Sequence, residues 1–292
     1  MTGSRELQTK TEQLEKVNMQ NADSNSEAAN DRRITIAEKL LRIANRSMNL
    51  FVACLMTVLF LYGGYSLWDT WRIYHSALPD QDLMKLKPVK GEDSNPSLQD
   101  LQKINADVCA WLTVYDTGID YPVVRGKDDM EYINKDVYGE FSLSGSIFLS
   151  CMNKKDFSDN YNLVYGHHMA NGGMFGDVVS FTEKSCFDKH KTGELYLPDK
   201  TMHIDLFACM KTSASDSKVY NPQNISKTSE SFKSFLDYVR EAAICYRDSG
   251  RQDTGQIIGL STCSEAVTNG RVILFGRLSE ITKSNQKQKK AE

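Results

Sequence analysis

The feature that most constrains this chain is a run of 22 residues without a charged side chain, from Ser47 to Trp68. As a helix that rises about 1.5 Å per residue, the run would be roughly 33 Å long, enough to cross the hydrocarbon core of a bilayer. One acid, Glu38, and five basic residues stand just before it; the basic ones are Arg32, Arg33, Lys39, Arg42 and Arg46. Because basic flanks stay in the cytoplasm, we expect the N-terminus inside and the bulk of the chain outside.

Two other interpretations of this run are weaker than a membrane anchor. A cleaved signal peptide would end in a small-x-small cleavage site, which the run lacks. A buried core helix of this length rarely lacks charges throughout. Aromatic residues near its far end suit the outer membrane interface; they are Tyr62, Tyr65, Trp68 and Trp71. We therefore predict a single-pass protein of the cell membrane, with membrane lipid as the partner of the anchor.

Polar segments on either side of the anchor divide the rest of the chain. Residues 1–31 are rich in Gln, Asn, Ser, Glu and Lys, so we expect them to be disordered or loosely helical. The predicted organisation is a cytoplasmic polar tail over 1–46, the anchor over 47–68, a stalk and linker over 69–97, one folded domain over 98–282, and a disordered basic tail over 283–292.

Within the folded domain, short apolar runs outnumber helical patterns. Such runs predict strands, over 111–114, 119–124, 147–149, 194–197 and 202–210. The clearest amphipathic pattern predicts a helix over Ser231–Arg247, capped by Thr228 or Ser229. A second helix should begin at Asn95-Pro96, with a stripe of Leu98, Leu101, Ile104 and Val108. We expect a short helix around 175–181 and a loop over 212–228.

Composition and motif content exclude several classes of function. A net charge of −3 gives no basic excess of the kind that binds nucleic acid. The chain lacks a Walker loop, a Gly-x-Gly-x-x-Gly turn, an HExxH helix and a compact acidic cluster, so we predict no cofactor and no metal. The seven cysteines show no CxxC spacing, so no disulfide framework is indicated. One disulfide in the part of the chain outside the membrane is left as an alternative.

Two neighbouring apolar runs place a thiol beside a cation. One run ends in Leu260-Ser261-Thr262-Cys263, and the next begins in Gly270-Arg271-Val272-Ile273. As adjacent strands they would bring Cys263 next to Arg271, and a fixed cation lowers the pKa of a thiol and makes it a nucleophile. The alternative is a pair of core strands with an incidental cysteine, since cysteine is among the most often buried residues.

A histidine at the end of another apolar run supports the catalytic interpretation. The run Asn162-Leu163-Val164-Tyr165 is followed by Gly166-His167-His168-Met169. A histidine exposed at a strand end can supply the acid and base that a thiol nucleophile requires. Cys263 and His167 are 96 residues apart, so only the fold can bring them together, as is usual for such pairs.

These residues resemble the motifs of a known family. Tyr-Gly-His-His-Met at 165–169, Leu-Ser-Thr-Cys at 260–263 and Gly-Arg-Val-Ile at 270–273 look like the three catalytic motifs of class B sortases, the membrane-anchored cysteine transpeptidases of Gram-positive bacteria. The likeness extends over about 98–280 and includes Ile104 to Asp107 and Thr117 to Val124. It implies a mostly β fold, a sortase-type closed β-barrel with flanking α-helices, preceded by one N-terminal transmembrane helix.

The resemblance also implies roles and partners. Cys263 would be the nucleophile, His167 the general acid, and Arg271 the group that holds the substrate carbonyl or oxyanion. The enzyme would cut a C-terminal sorting motif in a secreted protein, form a thioester, and transfer the acyl group to an amine of a peptidoglycan precursor. Ser261 and Thr262 are expected to line the substrate pocket.

Several alternatives stay open at this stage. His168, Arg277 and Cys151 are rivals of the three catalytic residues; Arg277 is expected to be a surface charge and Cys151 a structural thiol. Glu265 has a role only if it orients Arg271 or His167. The whole chain is alternatively a pilin-polymerising sortase, a cysteine protease whose thioester is resolved by water, or a non-catalytic binding module.

Overall fold

The computed structural model describes residues 3–77, 79, 81–89, 94–248, 255–263 and 269–281. The chain divides into two compact units, residues 1–68 and 69–292. The finer boundaries given above, at 46/47, 97/98 and 282/283, stay predictions.

The N-terminal part is one long helix. Helix α1 spans Gly3–Ser76, and its stretch Asn30–Tyr74 is long and apolar enough to cross a membrane. Of the two alternatives expected for residues 1–31, disorder or a loose helix, the structure has a helix from Gly3 onward. The reason is compositional, because this stretch has no proline, no glycine after Gly3, and many Glu, Gln, Lys and Ala residues, which are good helix formers.

In its described residues, the second unit contains nine strands and six helices that follow α1. The helices are α2 (Gln81–Lys85), α3 (Pro96–Ile104), a 3₁₀ helix (Gly176–Thr182), α4 (Lys184–Lys189), α5 (Pro222–Ser226) and α6 (Ser229–Ala242). The strands are β1 (Val108–Val114), β2 (Asp120–Val124), β3 (Ile147–Leu149), β4 (Tyr161–Tyr165), β5 (Thr192–Tyr196), β6 (Thr201–Ser213), β7 (Cys245–Tyr246), β8 (Ile257–Cys263) and β9 (Gly270–Glu280).

Eight of these strands close into a barrel. They follow the order β5-β1-β2-β3-β4-β8-β9-β6, and β6 pairs back with β5, while β7 is an edge strand on β6. The pairs β2–β3 and β4–β8 are parallel and the other pairs are antiparallel. The prediction of a mostly β, closed barrel with flanking helices is confirmed, because every barrel strand finds two neighbours and no barrel edge is left open.

The core lies inside the barrel, with two further apolar layers outside it. One outer layer packs Phe235 and Val239 of α6 on Tyr161 of β4 and Phe275 of β9, and the other packs α3 on Trp111 of β1. Thr228 caps α6 by accepting a hydrogen bond from the backbone N–H of Ser231 at 3.0 Å, as predicted. The helix thus stands on the outer face of β4, β6 and β9.

Three local predictions are wrong in detail. The helix predicted over Ser231–Arg247 ends at Ala242, because Ile244 and Arg247 donate their N–H groups to β6 and the chain between them becomes β7. Val108 begins β1 and does not extend the stripe of α3, since the chain leaves the helix at Asn105 with extended backbone angles. The loop predicted over 212–228 contains the short helix α5.

Candidate active site

Alternation along β8 and β9 sorts their residues between two faces. Ile258 and Leu260 belong to the cluster inside the barrel, as do Val272 and Leu274. Ile257, Ile273 and Phe275 belong to the outer layer beneath α6. Because side chains alternate along a strand, Ser261, position 263 and Arg271 continue the outer series. Positions 263 and 271 therefore both fall in the outer series near these strand ends; of Cys263 the structure describes the backbone alone.

The strand register brings the three predicted catalytic positions to one end of the barrel. Cys263 and Arg271 are directly opposite each other in the antiparallel pair β8–β9. Tyr165 is level with Ser261 in the parallel pair β4–β8, and Gly166 donates its N–H to the Ser261 carbonyl at 3.1 Å. The pairing ends there, and His167 follows Tyr165 by two residues as Cys263 follows Ser261. The row of Cys263 and Arg271 continues to Thr212 of β6, the partner of Arg271.

The imidazole of His167 is held by a backbone carbonyl from a distant loop. Its Nε2 lies 3.0 Å from the oxygen of Ile133, in the connection between β2 and β3. A carbonyl only accepts hydrogen bonds, so Nε2 carries a proton in this arrangement and Nδ1 is the atom left for proton exchange. The carbonyl of His167 itself accepts the N–H of Phe175 at 2.9 Å, which fixes the backbone on the other side.

The neighbouring histidine has different surroundings. His168 forms an isolated β-bridge with Met174. Its Nδ1 is buried, and no hydrogen-bond partner for it exists within the part of the chain that the structure describes. No described residue orients the His168 ring as Ile133 orients that of His167, so we retain His167 as the predicted general acid.

Arg271 and its rival Arg277 lie at opposite ends of β9. Arg271 is half-buried, and its Nη1 donates to the carbonyl of Gly270 at 3.0 Å. Arg277 is the partner of Ile257, six residues and about 20 Å along the strand from Arg271. Its guanidinium carbon lies 4.1 Å from the centre of the Phe207 ring. Arg277 is therefore half-buried over an aromatic ring, which corrects the expectation of a simple surface charge.

Ser261 and Thr262 have unlike environments although both are 2% exposed. The hydroxyl of Ser261 lies 3.0 Å from the Tyr220 hydroxyl, and the rings of Tyr220 and Tyr165 stack with centroids 6.2 Å apart. Thr262 follows Leu260 in the inner series, and its Oγ1 has no hydrogen-bond partner among the described residues. Both stay predicted substrate contacts, and Ser261 alone belongs to the face that carries position 263.

The structure adds two residues that the sequence patterns missed. Tyr220 stands just before α5, and it is 41 positions from its partner Ser261. Ile133 acts through a backbone atom, so its side chain gives no sign of this role. The one local signal near Tyr220 is Asn221-Pro222, a helix-start pair that marks the segment as ordered.

Three other cysteines, Cys109, Cys151 and Cys209, are in environments that suppress thiol reactivity. Cys151, the rival nucleophile, donates its backbone N–H to Asp129 at 2.6 Å, and burial followed by the Asp129 carboxylate raises the pKa of its thiol. Burial raises the pKa of Cys109 and of Cys209 to about 12. Thiols with raised pKa values are poor nucleophiles.

Among the described residues, no acidic side chain is hydrogen-bonded to His167 or to Arg271. Glu265, considered above as an orienting group, lies outside the described residues. Within the ranges described, no three His, Cys, Asp or Glu side chains are grouped so as to hold a metal ion.

No family model matches the chain, but the chain is similar to known proteins and solved structures that are sortases of class B or are named Sortase B. The sequence is 31% identical over 183 residues to Sortase B of Listeria monocytogenes, covering 62% of this chain and 73% of that protein. A crystal structure of a Streptococcus pyogenes class B sortase involved in pilus biogenesis matches with a TM-score of 0.57 and 43% identity, over 62% of this chain and 97% of that one. Sortase B from the Type II pilus of Streptococcus pneumoniae matches with a TM-score of 0.54 and 34% identity, over 62% and 98% of the two chains.

Proposed function

Because this chain belongs to the class B sortases, we propose that it acts through Cys263 as nucleophile, His167 as general acid and Arg271 as the holder of the substrate carbonyl. The family makes it a cysteine transpeptidase; the roles of its own residues, its substrates and its acceptor are the proposal. The observation that supports these roles best is the register of β4, β8 and β9: Cys263 is paired with Arg271, and β4 ends beside Ser261, two residues before His167.

The chemistry follows from the three groups. The sulfur of Cys263 attacks the carbonyl of the scissile peptide bond, and the negative charge that develops on the oxygen is held by Arg271, whose five N–H donors are fixed in a planar fork. His167 gives a proton to the leaving amine, and the peptide bond breaks to leave a thioester. An incoming amine loses a proton to His167 and attacks the thioester, which expels the Cys263 thiolate and restores the thiolate and protonated imidazole with which the cycle began.

The substrate is proposed to be the C-terminal sorting motif of a secreted protein. Two acceptors fit the same chemistry. The first is an amine of a peptidoglycan precursor, which would attach the protein to the cell wall. The second is a lysine of a pilin subunit, and the 43% and 34% identities to two class B sortases of pili are the specific observation in its favour.

The location of the enzyme completes the proposal. α1 contains a stretch that is able to span a membrane, and the basic residues before Ser47 support a cytoplasmic N-terminus. The barrel would then lie outside the cell, where secreted substrates and wall precursors meet.

The test is amine transfer by the full chain in detergent. A library of sorting-motif peptides is offered with a wall-type amine and with a pilin lysine peptide in competition, and products are identified by mass spectrometry. We expect a peptide–amine product that Cys263→Ala abolishes, while Cys151→Ala, the matched thiol control, leaves it unchanged. Hydrolysis without transfer would indicate a protease. Product formed by a Cys263→Ala variant that circular dichroism shows to be folded would exclude the proposal.

A further inference from the structure

The segment just before the anchor has two faces of opposite character. At 3.6 residues per turn, seven apolar residues fall within an arc of about 180°; they are Ile34, Ile36, Ala37, Leu40, Leu41, Ile43 and Ala44. The opposite arc is polar and mainly basic, with Arg32, Thr35, Glu38, Lys39, Arg42, Asn45 and Arg46. Both arcs belong to the described part of α1, so the helical spacing is that of the structure.

The apolar arc is uncovered in the first unit. Its five large side chains are 51% to 63% exposed. An uncovered apolar face of this length normally marks a site of interaction with another surface. The charges decide which surface is suitable: the segment holds five cations and one acid, and Glu38 pairs with Arg42 at 3.4 Å.

We propose that residues 32–46 form a second membrane-binding element, a helix whose apolar arc lies in the interface of a bilayer that contains anionic phospholipid. The basic arc then contacts the lipid phosphates. Basic residues beside an amphipathic apolar face are the pattern of helices that lie on membranes, and anionic headgroups attract them. The inference rests on the proposed anchor over 47–68 and is independent of the catalytic chemistry.

A second copy of the chain fits the apolar arc less well than a bilayer surface does. Arg32, Lys39 and Arg46 form a row along one border of the apolar arc. In a dimer packed through the arc, these like charges would be drawn together. Arg33 lies inside the arc and would be buried there, whereas at a bilayer surface its long side chain reaches the headgroups.

The junction with the anchor suits a change of direction. Binding to the surface requires the helix axis to turn before the membrane-spanning run. Asn45, Ser47 and Asn49 stand at this point, and their side chains compete with the backbone for hydrogen bonds and disfavour helix interiors. In the structure this junction is helical, so we expect the helix axis to bend here only when residues 32–46 bind lipid.

A fluorescent amino acid placed at one position of the full chain tests the proposal. The positions are Leu40 on the apolar arc, Thr35 on the polar arc, and Leu59 in the anchor. The chain is reconstituted in nanodiscs of phosphatidylcholine, with or without phosphatidylglycerol, whose lipid carries either a shallow nitroxide quencher, used for Leu40 and Thr35, or a deep one at the bilayer centre, used for Leu59. We expect strong quenching at Leu40 in the anionic discs and much weaker quenching at Thr35.

Variants that lack the basic charges, and the label at Leu59, distinguish the ways in which the proposal could fail. Each cation near an anionic surface strengthens binding several-fold, so Arg32→Gln, Lys39→Gln and Arg46→Gln together should weaken surface binding on the order of 100-fold. Equal and weak quenching at Leu40 and Thr35, with Leu59 quenched, would overturn the proposal and retain the anchor. Energy transfer between labelled copies at Leu40 without lipid quenching would overturn it in favour of a dimer. An unquenched Leu59 would show instead that the anchor itself is wrong, and the inference would fall with it.

Discussion

Gly145 gives a way to move the His167 ring without altering any side chain of the site. It has a φ of +60°, and an added Cβ would lie 2.3 Å from the carbonyl oxygen of Ile133. That oxygen is the one 3.0 Å from Nε2 of His167. We therefore predict that Gly145→Ala displaces the predicted general acid and slows catalysis.

The size of the effect follows from these distances. A carbon and a carbonyl oxygen approach to about 3.3 Å at closest, so the Ile133 oxygen must retreat by about 1 Å. A misplacement of about 1 Å in a catalytic group costs about 100-fold in rate. The left-handed backbone adds about 1 to 2 kcal/mol of destabilisation for alanine. We expect kcat/KM to fall by about 10- to 100-fold, with a modest loss of thermal stability.

Gly139→Ala is the matched control for this variant. Gly139 lies in the same connection with a φ of +87°, and no atom lies within 4 Å of its added Cβ. It carries the same kind of conformational penalty without the contact. The assay is kcat/KM for amine transfer with a peptide found to be a substrate, alongside the thermal unfolding midpoint. If both variants lose activity equally, the Ile133 carbonyl does not hold the catalytic ring and the reasoning is refuted.

Three further predictions concern the surroundings of the site. Tyr220→Phe and Ser261→Ala each remove the bond between their hydroxyls, so each should cost about 1 kcal/mol of stability and the double variant less than the sum; urea unfolding measures this, and full additivity would contradict it. Burial raises the pKa of the Cys109 and Cys209 thiols from 9.0 to about 12. Because the core favours the neutral thiol, this contribution to stability is complete below pH 9.0 and is lost as the pH rises through about 12; iodoacetamide at pH 8 should label these two thiols only after unfolding, and rapid native labelling would contradict their burial. Thr228→Ala removes the cap of α6, with an expected loss of about 1 kcal/mol in the free energy of unfolding; an unchanged unfolding midpoint would show that the cap is not needed.

Much of the barrel was predictable because its strands have clear ends. The run at 147–149 coincides with β3, and the run that ends in Cys263 ends where β8 ends, because turn or polar residues bound both runs. The position of Cys263 beside Arg271 followed from two adjacent runs with a short connection, and the register agrees. These features depend on local patterns, which a sequence carries directly.

What could not be predicted depends on contacts between distant segments. Ala243 to Tyr246 continues the apolar spacing of α6, but the edge of β6 captures it as β7. Arg277 looked like a surface charge because alternation does not reveal that the outer layer covers that face. Ile133 and Tyr220 contribute a carbonyl and a hydroxyl from remote connections, and no spacing in the sequence links them to the site.

The most direct measurement is a crystal structure of the chain with a substrate-mimicking peptide joined through a disulfide to Cys263. A site assembled from three strand ends predicts that the Arg271 guanidinium and Nδ1 of His167 both come within about 4 Å of the peptide group next to that sulfur. A sulfur sealed among apolar side chains, or more than about 10 Å from both His167 and Arg271 with the peptide bound, would contradict it.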